Sequence, residues 1–333
     1  MRGQEFARPV FLAFFKLLLP HGEVPARAAG GPRTTHHTAV RTTLDGRAPV
    51  LRSKAMPSAE RSILITGCSS GIGLAAAHGL KLRGWRVFAT ARNPDDCERL
   101  KSEGLQAFRL DLTDPGTIET ALGHVLRRTD GTLDALFNNG GYAQAGAVED
   151  MTTDLIRDQF ETNFFGWHEL TRRVIPVMRR QRHGRIVFCS SVLGFVGGKF
   201  RGAYVASKFA VEGLADTLRL ELHGSGIHVV LIEPGPIDSR FREHALDVID
   251  RTIDVDGSFH RDAYKRALAR RAGGESSSRF RKPPEAAVAA LIKAVERPRP
   301  AARYRVTTPA QIAWYLKRLL PTRVLDWIAR GQG

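Results

Sequence analysis

The stretch from residue 62 to residue 91 constrains the fold more than any other part of the chain. Ser62, Ile63, Leu64 and Ile65 form a short apolar run with β-leaning residues. Thr66-Gly67-Cys68-Ser69-Ser70-Gly71-Ile72-Gly73 follows directly and leads into a helical pattern over 74–82. After Gly84 a second run, Arg86-Val87-Phe88-Ala89-Thr90-Ala91, reads as another strand. Strand, tight turn, helix and strand in this order make a βαβ unit, in which a helix joins two parallel strands. Glycines at the turn permit positive φ and let the backbone approach a pyrophosphate, whose charge then sits against the helix N-terminus. Three glycines alone would be a weak signal, and the flanking strand and helix make them specific.

The same alternation continues to about residue 235. The pattern predicts helices over 95–103, 115–128, 153–180 and 203–223, and strands over 107–110, 135–137, 186–189 and 229–232. Strands alternating with helices at this spacing imply an α/β fold with one doubly wound parallel sheet, helices covering both faces. The first sixty residues break the pattern. Val10 to Leu19 is apolar but interrupted by Lys16, and a Gly/Ala/Pro/Arg/Thr-rich stretch without periodicity follows. Residues 1–60 are expected to be an N-terminal extension, with three readings open: a secretory signal ending near Ala26-Arg27-Ala28, a basic interfacial anchor, or sequence upstream of a natural start at Met56. Residues 61–309 are expected to form the α/β domain, and 310–333 a basic amphipathic tail.

The chain carries 50 Lys+Arg against 34 Asp+Glu, a formal charge of +16, and 43% hydrophobic residues. That composition supports a sizeable core and excludes global disorder. The charge is Arg-rich and spread without one dominant cluster, and no nucleic-acid motif accompanies it, so a nucleic-acid partner is not expected. Cys68, Cys97 and Cys189 are odd in number and scattered, which excludes a disulfide framework and fits a reducing, cytoplasmic compartment. No window is long and apolar enough to span a bilayer.

Three groups of residues carry chemistry. Sites that prefer NAD usually place a carboxylate after the second strand to accept from the ribose 2′-OH, whereas an arginine there suits a 2′-phosphate. This chain has Arg92, with Ser70 as a further hydroxyl donor, so NADP(H) is favoured over NAD(H). Asp95 and Asp96 read as first-turn acids of the next helix. Tyr204 and Lys208 stand at i and i+4, a proton donor beside a cation on one helix face. The ammonium is expected to favour the phenolate and bring Tyr204 nearer the neutral range. Ser191 lies 13 residues before Tyr204 at the end of a predicted strand, with Ser190 as its rival.

With these residues in order and at these spacings, the sequence resembles the short-chain dehydrogenase/reductase family. Thr66-Gly67 with Gly71 and Gly73, Asp111, Asn138-Asn139-Gly140-Gly141, Asn163, Ser191, Tyr204, Lys208 and Pro234-Gly235 carry the resemblance, over residues 61 to about 240. Ala91-Arg92 and the run from Ile232 to Ile237 look like the branch similar to 17β-hydroxysteroid dehydrogenases and bacterial NADPH-dependent aldehyde reductases. The resemblance implies a Rossmann-type sheet and reduction of a carbonyl, with Tyr204 as proton donor, Ser191 orienting the oxygen and Lys208 binding the nicotinamide ribose. It implies that Asn163 positions a water, Asp111 with Leu112 meets the adenine, and Asn139 and Gly140 line the adenosine ribose. Gly67, Ser69, Ser70, Gly71, Ile72 and Gly73 would cradle the pyrophosphate, and Pro234, Gly235 and Ile237 would face the nicotinamide. Gly140 stands where the family usually has alanine, which is expected to loosen that loop slightly.

Residues 236–282 read as a mobile loop with short helices over the pocket. Phe195, Phe200 and Phe241 offer an apolar wall for a small hydrophobic carbonyl or alcohol, or belong to the core. The alternative functions are a steroid or retinol-type dehydrogenase working mainly in oxidation, and a non-catalytic NADP(H)-binding protein. A homodimer or homotetramer is implied by the family, and the tail is compatible with peripheral contact to an anionic membrane.

Overall fold

Seven strands form one wholly parallel sheet in the computed structural model, which describes residues 61–272 and 280–330. They are β1 (Ser62–Ile65), β2 (Arg86–Ala91), β3 (Gln106–Arg109), β4 (Ala135–Asn138), β5 (Gly184–Cys189), β6 (Ile227–Glu233) and β7 (Arg303–Arg305), in the order β3-β2-β1-β4-β5-β6-β7. The expectations about residues 1–60 lie outside the described residues. β1 and β4 are buried along their whole length, which is why they read as continuous apolar runs rather than as alternating strands. Helices α1 (Gly71–Lys81), α2 (Pro94–Ser102), α3 (Pro115–Arg128), α4 (Thr153–Phe160), α5 (Gly166–Gln181) and α6 (Gly202–Glu221) supply the crossovers between β1 and β6. α9 (Glu285–Glu296) packs on α1 over one face of the sheet, while α3 packs on α5 and α4 on α6 over the other.

Strand order reverses direction between β1 and β4, so the loops leaving these two strands open a crevice at the carboxyl edge. Thr66 closes the base of that crevice. Its hydroxyl accepts from the backbone N–H groups of Asn139 and Gly140, both at 2.9 Å. In return the Asn139 amide donates to the carbonyls of Thr66 (3.0 Å) and Gly67 (3.2 Å). Gly67 lies at φ +70°, and a Cβ there would stand 2.4 Å from the Gly140 Cα, so only glycine fits. Gly140 is tied through both its N–H and its carbonyl, which accepts from Trp167 Nε1 at 2.7 Å.

The helix expected over 153–180 is broken by a π-helical turn, Glu161–Phe165. Asn163 supplies the cause. Its side chain donates to the Tyr142 carbonyl (2.9 Å) and accepts from the Tyr142 N–H (3.1 Å), drawing the helix toward the β4 loop. Gly166 follows against the Leu112 carbonyl, 2.2 Å from where its own Cβ would be.

Beyond β6 the chain is more regular than its composition indicated. α7 (Phe241–Thr252) and α8 (Arg261–Ala272) bury Ala245, Ile249 and Tyr264 in a second apolar cluster with Met151 and Tyr204. Tyr264 holds the cluster by donating to Asp150 Oδ2 (2.7 Å) and accepting from the Ala147 N–H (2.6 Å). β7 is polar in sequence because Arg303 and Arg305 flank the buried Glu233 carboxylate, at 3.0 and 3.2 Å. α10 (Thr308–Leu319) is anchored at its start by its cap Thr307 and by Ala310, both fully buried, and α11 (Thr322–Arg330) leaves Val324 and Trp327 exposed. Among the described residues no helix is long and apolar enough to cross a membrane.

Replacing Thr66 by Val keeps the shape but removes the acceptor of two amides. The expected loss is about 1–3 kcal/mol, read as a lower urea midpoint, while T66S stays close to the parent protein. An unchanged midpoint for T66V would contradict the role of this hydroxyl.

Candidate active site

The carboxyl edge of the sheet gathers the residues singled out from sequence. The loop after β1 runs through Gly67, Ser69 and Ser70 into the first turn of α1 at Gly71 and Ile72. Gly71 has φ +58°, and a Cβ on Gly73 would stand 2.1 Å from the Gly67 carbonyl oxygen. Ser70 occupies the N-cap of α1 without capping it, and the first turn holds no acid. By contrast, α2 is capped by Asn93, α3 by Asp114 and α4 by Thr152. The N-terminus of α1 thus keeps its N–H groups and dipole available to an anion. Arg92 is exposed just past β2, and no hydrogen bond or ion pair engages its guanidinium among the described residues. Asp95 and Asp96 lie in the first turn of α2, where Asp96 pairs with Arg99 at 3.2 Å. A glycine cradle, an uncapped helix and a free guanidinium fit the phosphates of a dinucleotide.

The adenosine-side expectations meet more engaged groups. Asp111 Oδ1 accepts from the N–H and hydroxyl of Thr113, at 3.0 and 2.8 Å. Leu112 is buried against Gly140 and Gly166. The Asn139 amide nitrogen is used in the loop clasp, and Asn163 is fully buried with both polar ends on Tyr142. Across the crevice the Pro234 carbonyl accepts from Val192 N–H at 2.8 Å, tying the end of β6 to the turn after β5. Gly235 meets Thr307, whose hydroxyl oxygen would be 2.1 Å from a Cβ there, and Ile237 bridges to Lys282.

Tyr204, Lys208 and Ser191 converge between β5 and α6. Tyr204 and Lys208 are 6% and 4% exposed on the inner face of α6. Lys208 Nζ donates to the Cys189 carbonyl at 2.8 Å and lies 4.2 Å from the centre of the Trp167 ring and 5.6 Å from that of Tyr204. Ser191 caps the 3₁₀ turn Val192–Gly194, accepting from Leu193 N–H at 3.1 Å, and its hydroxyl also acts on the Tyr204 phenol. Ser190 faces Glu212 instead, so the two serines serve opposite sides of the strand end. Phe241 packs tilted against Tyr204 with ring centres 5.5 Å apart, and Phe200 packs at 5.6 Å on Tyr264.

The electrostatics differ from the sequence expectation. Burial pushes the Tyr204 phenol well above its usual range, charge repulsion from the Cys189 sulfur adds to this, and the Ser191 hydroxyl and Arg201 offset only part. Burial also lowers the Lys208 ammonium to about 8. Desolvation penalises each charged form, so it outweighs the attraction expected between phenolate and ammonium. Cys68 and Cys189 are driven up by burial to about 12 and about 11, which removes both as nucleophiles.

Thr66, Trp167 and the Cys189 carbonyl were not legible as site residues, because each acts through a contact between segments distant in sequence. A cavity of about 400 Å³ between α9, β7 and α10 contains none of the residues above, so chemistry rather than volume locates the site.

Comparison with known proteins agrees with this arrangement. The short chain dehydrogenase family profile matches residues 61–248. The chain is 40% identical over 283 residues to the oxidoreductase YbbO of Escherichia coli, covering 85% of this chain and 97% of that protein. It is 32% identical to retinol dehydrogenase 8 of Bos taurus, covering 76% and 83% of the two chains. Among solved structures, a short-chain dehydrogenase from Streptomyces avermitilis superposes with a TM-score of 0.63 at 28% identity, covering 84% of this chain and 100% of that one. An actinorhodin polyketide ketoreductase variant solved with NADPH gives 0.60 at 29% identity, covering 74% and 95%. The seven-stranded parallel sheet, the glycine loop at its switch point and these matches have one meaning: the chain belongs to the short-chain dehydrogenase family of oxidoreductases, which bind a nicotinamide cofactor.

Proposed function

We propose that this protein is an NADPH-dependent carbonyl reductase of the branch that resembles bacterial aldehyde reductases. The observation that carries the reading is the buried Tyr204 phenol, held protonated beside Ser191 with Lys208 one turn along the same helix. Gly67, Ser69, Ser70, Gly71, Ile72 and Gly73 would hold the pyrophosphate, Arg92 the 2′-phosphate, and Asp111, Leu112, Asn139 and Gly140 the adenosine. Pro234, Gly235 and Ile237 would meet the nicotinamide, and Lys208 its ribose. The bound cofactor supplies hydride.

Tyr204 holds the proton that the carbonyl oxygen must receive. Ser191 orients that oxygen by donating to it, and Lys208, cationic below about pH 8, favours the phenolate that Tyr204 leaves behind. Asn163 shapes the π turn, and the reading keeps for it a positioning role toward a water that reaches Lys208. Phe241 and Phe200 supply apolar surface for a hydrophobic aldehyde or ketone. Phe165, Phe209 and Leu220 expose apolar surface on or beside α5 and α6, which supports assembly into a homodimer or homotetramer. The second reading, an alcohol dehydrogenase working mainly in oxidation, draws on the similarity to retinol dehydrogenase 8.

Y204F is expected to lower kcat for aldehyde reduction by about 10²–10⁴-fold while leaving NADPH binding by fluorescence largely intact. Retained turnover would remove Tyr204 from its role. R92A should raise the KM for NADPH about tenfold to a hundredfold and hardly change that for NADH, since it removes charge-assisted bonds to one phosphate. Because the Tyr204 pKa is raised, the phenol keeps its proton through neutral pH. Reduction should therefore be level from about pH 6 to 7 and decline as Lys208 loses its proton near pH 8, whereas alcohol oxidation, which needs the phenolate, should climb with pH. Oxidation with its optimum near neutrality would favour the second reading.

A further inference from the structure

Arg201 immediately precedes α6 and stands three residues before Tyr204, near enough to the phenol for the two groups to interact electrostatically. It is half-buried, and burial lowers its pKa, with Arg242 adding like-charge repulsion. Among the described residues neither guanidinium has a hydrogen-bonded or ion-paired partner. Three acids of the flanking segments are committed elsewhere. Residues 146–150 run alongside Arg201, with Gly146 bridged to Arg201 and the Gly146 N–H donating to the Phe200 carbonyl at 2.9 Å. Yet in that segment Glu149 pairs with His260 at 2.6 Å, and Asp150 accepts from Tyr264 and Ser258, both at 2.7 Å. Asp238, just before α7, pairs with Arg281 at 3.2 Å.

A guanidinium stays charged in a protein, and a partly desolvated cation without a counter-ion is costly, more so beside a second cation. The Arg201 guanidinium and the Tyr204 phenol interact electrostatically, so a group bound by Arg201 lies within one small molecule's length of the Tyr204 hydroxyl. The arginine fork matches the oxygens of a carboxylate or a phosphate. We infer that Arg201, assisted by Arg242, is an oxyanion subsite of the substrate pocket. The substrate is then an aldehyde or ketone with an apolar body, lying against Phe241 and Phe200, and an anionic carboxylate or phosphate on the same molecule. This inference rests on the carbonyl reductase reading and narrows its substrate class. It also separates two anion sites, with Arg92 serving the cofactor at β2 and Arg201 serving the substrate at α6.

The test uses the full chain with NADPH and a matched series: short and medium-chain ω-oxo carboxylates, their methyl esters and the corresponding ω-oxo alkyl phosphates. The expected result is a kcat/KM for one anionic series at least about tenfold above that of the esters, with the more active series telling carboxylate from phosphate. In R201Q this ratio should fall toward one, mainly through KM, with R201K retaining part of it, and NADPH binding by fluorescence should report that both variants are folded. A ratio near one in the parent protein, or one unaltered in both variants, overturns the inference and leaves the reductase reading standing. R201Q that weakens NADPH without altering the ratio also overturns it, by moving Arg201 to the cofactor. If no carbonyl is turned over, the reductase reading itself fails. Calorimetric titration with a medium-chain alkanoate and an alkyl phosphate then decides the subsite: binding of either that is lost in R201Q supports it, and no binding of both refutes it.

Discussion

One hydroxyl group, that of Thr66, sits at the start of a chain of contacts on which the site depends. By accepting from Asn139 and Gly140 it locks the loop after β1 to the loop after β4. Gly140 in turn accepts from Trp167, the Trp167 ring lies under Lys208, and Lys208 donates to the end of β5. The glycine cradle and the tyrosine–lysine pair are thereby set by a continuous sequence of short contacts. A parallel sheet makes this possible, because all of its strands end on the same edge.

Burial gives that edge its chemical character. The same desolvation that raises Tyr204 lowers Lys208 to about 8, so both groups are poised toward their neutral forms. A phenol that keeps its proton is suited to giving it to a carbonyl oxygen. A lysine near the working pH is suited to changing charge as that proton leaves. Arg201 extends this logic to the substrate end, where a cation that pairs with no acid among the described residues is matched by one carried in with the substrate.

The sheet was legible because its strands are short apolar runs separated by helical periodicity, and β1, β2 and α3 fall at the predicted residues. Tyr204, Lys208 and Ser191 were legible because spacing along one helix and one strand end survives translation into space. What stayed hidden in the sequence depended on distant partners. The π turn arises from Asn163 reaching Tyr142, and β7 hides its role because its two arginines face a buried glutamate on β6. The tyrosine pKa was expected in the wrong direction because a helix spacing reports the neighbouring charge but not the burial that outweighs it.

Proton donation depends on the protonation state of Tyr204, and ultraviolet difference titration reads it directly. The tyrosinate absorbance of the cofactor-free protein, minus that of Y204F, isolates this one phenol among the five tyrosines. The structure predicts no difference signal through neutral pH and an onset only above the ordinary tyrosine range, near pH 10. A midpoint at or below about pH 8 would show that the neighbouring cations outweigh burial, contradicting the assignment of Tyr204 as a resident proton donor held neutral by desolvation.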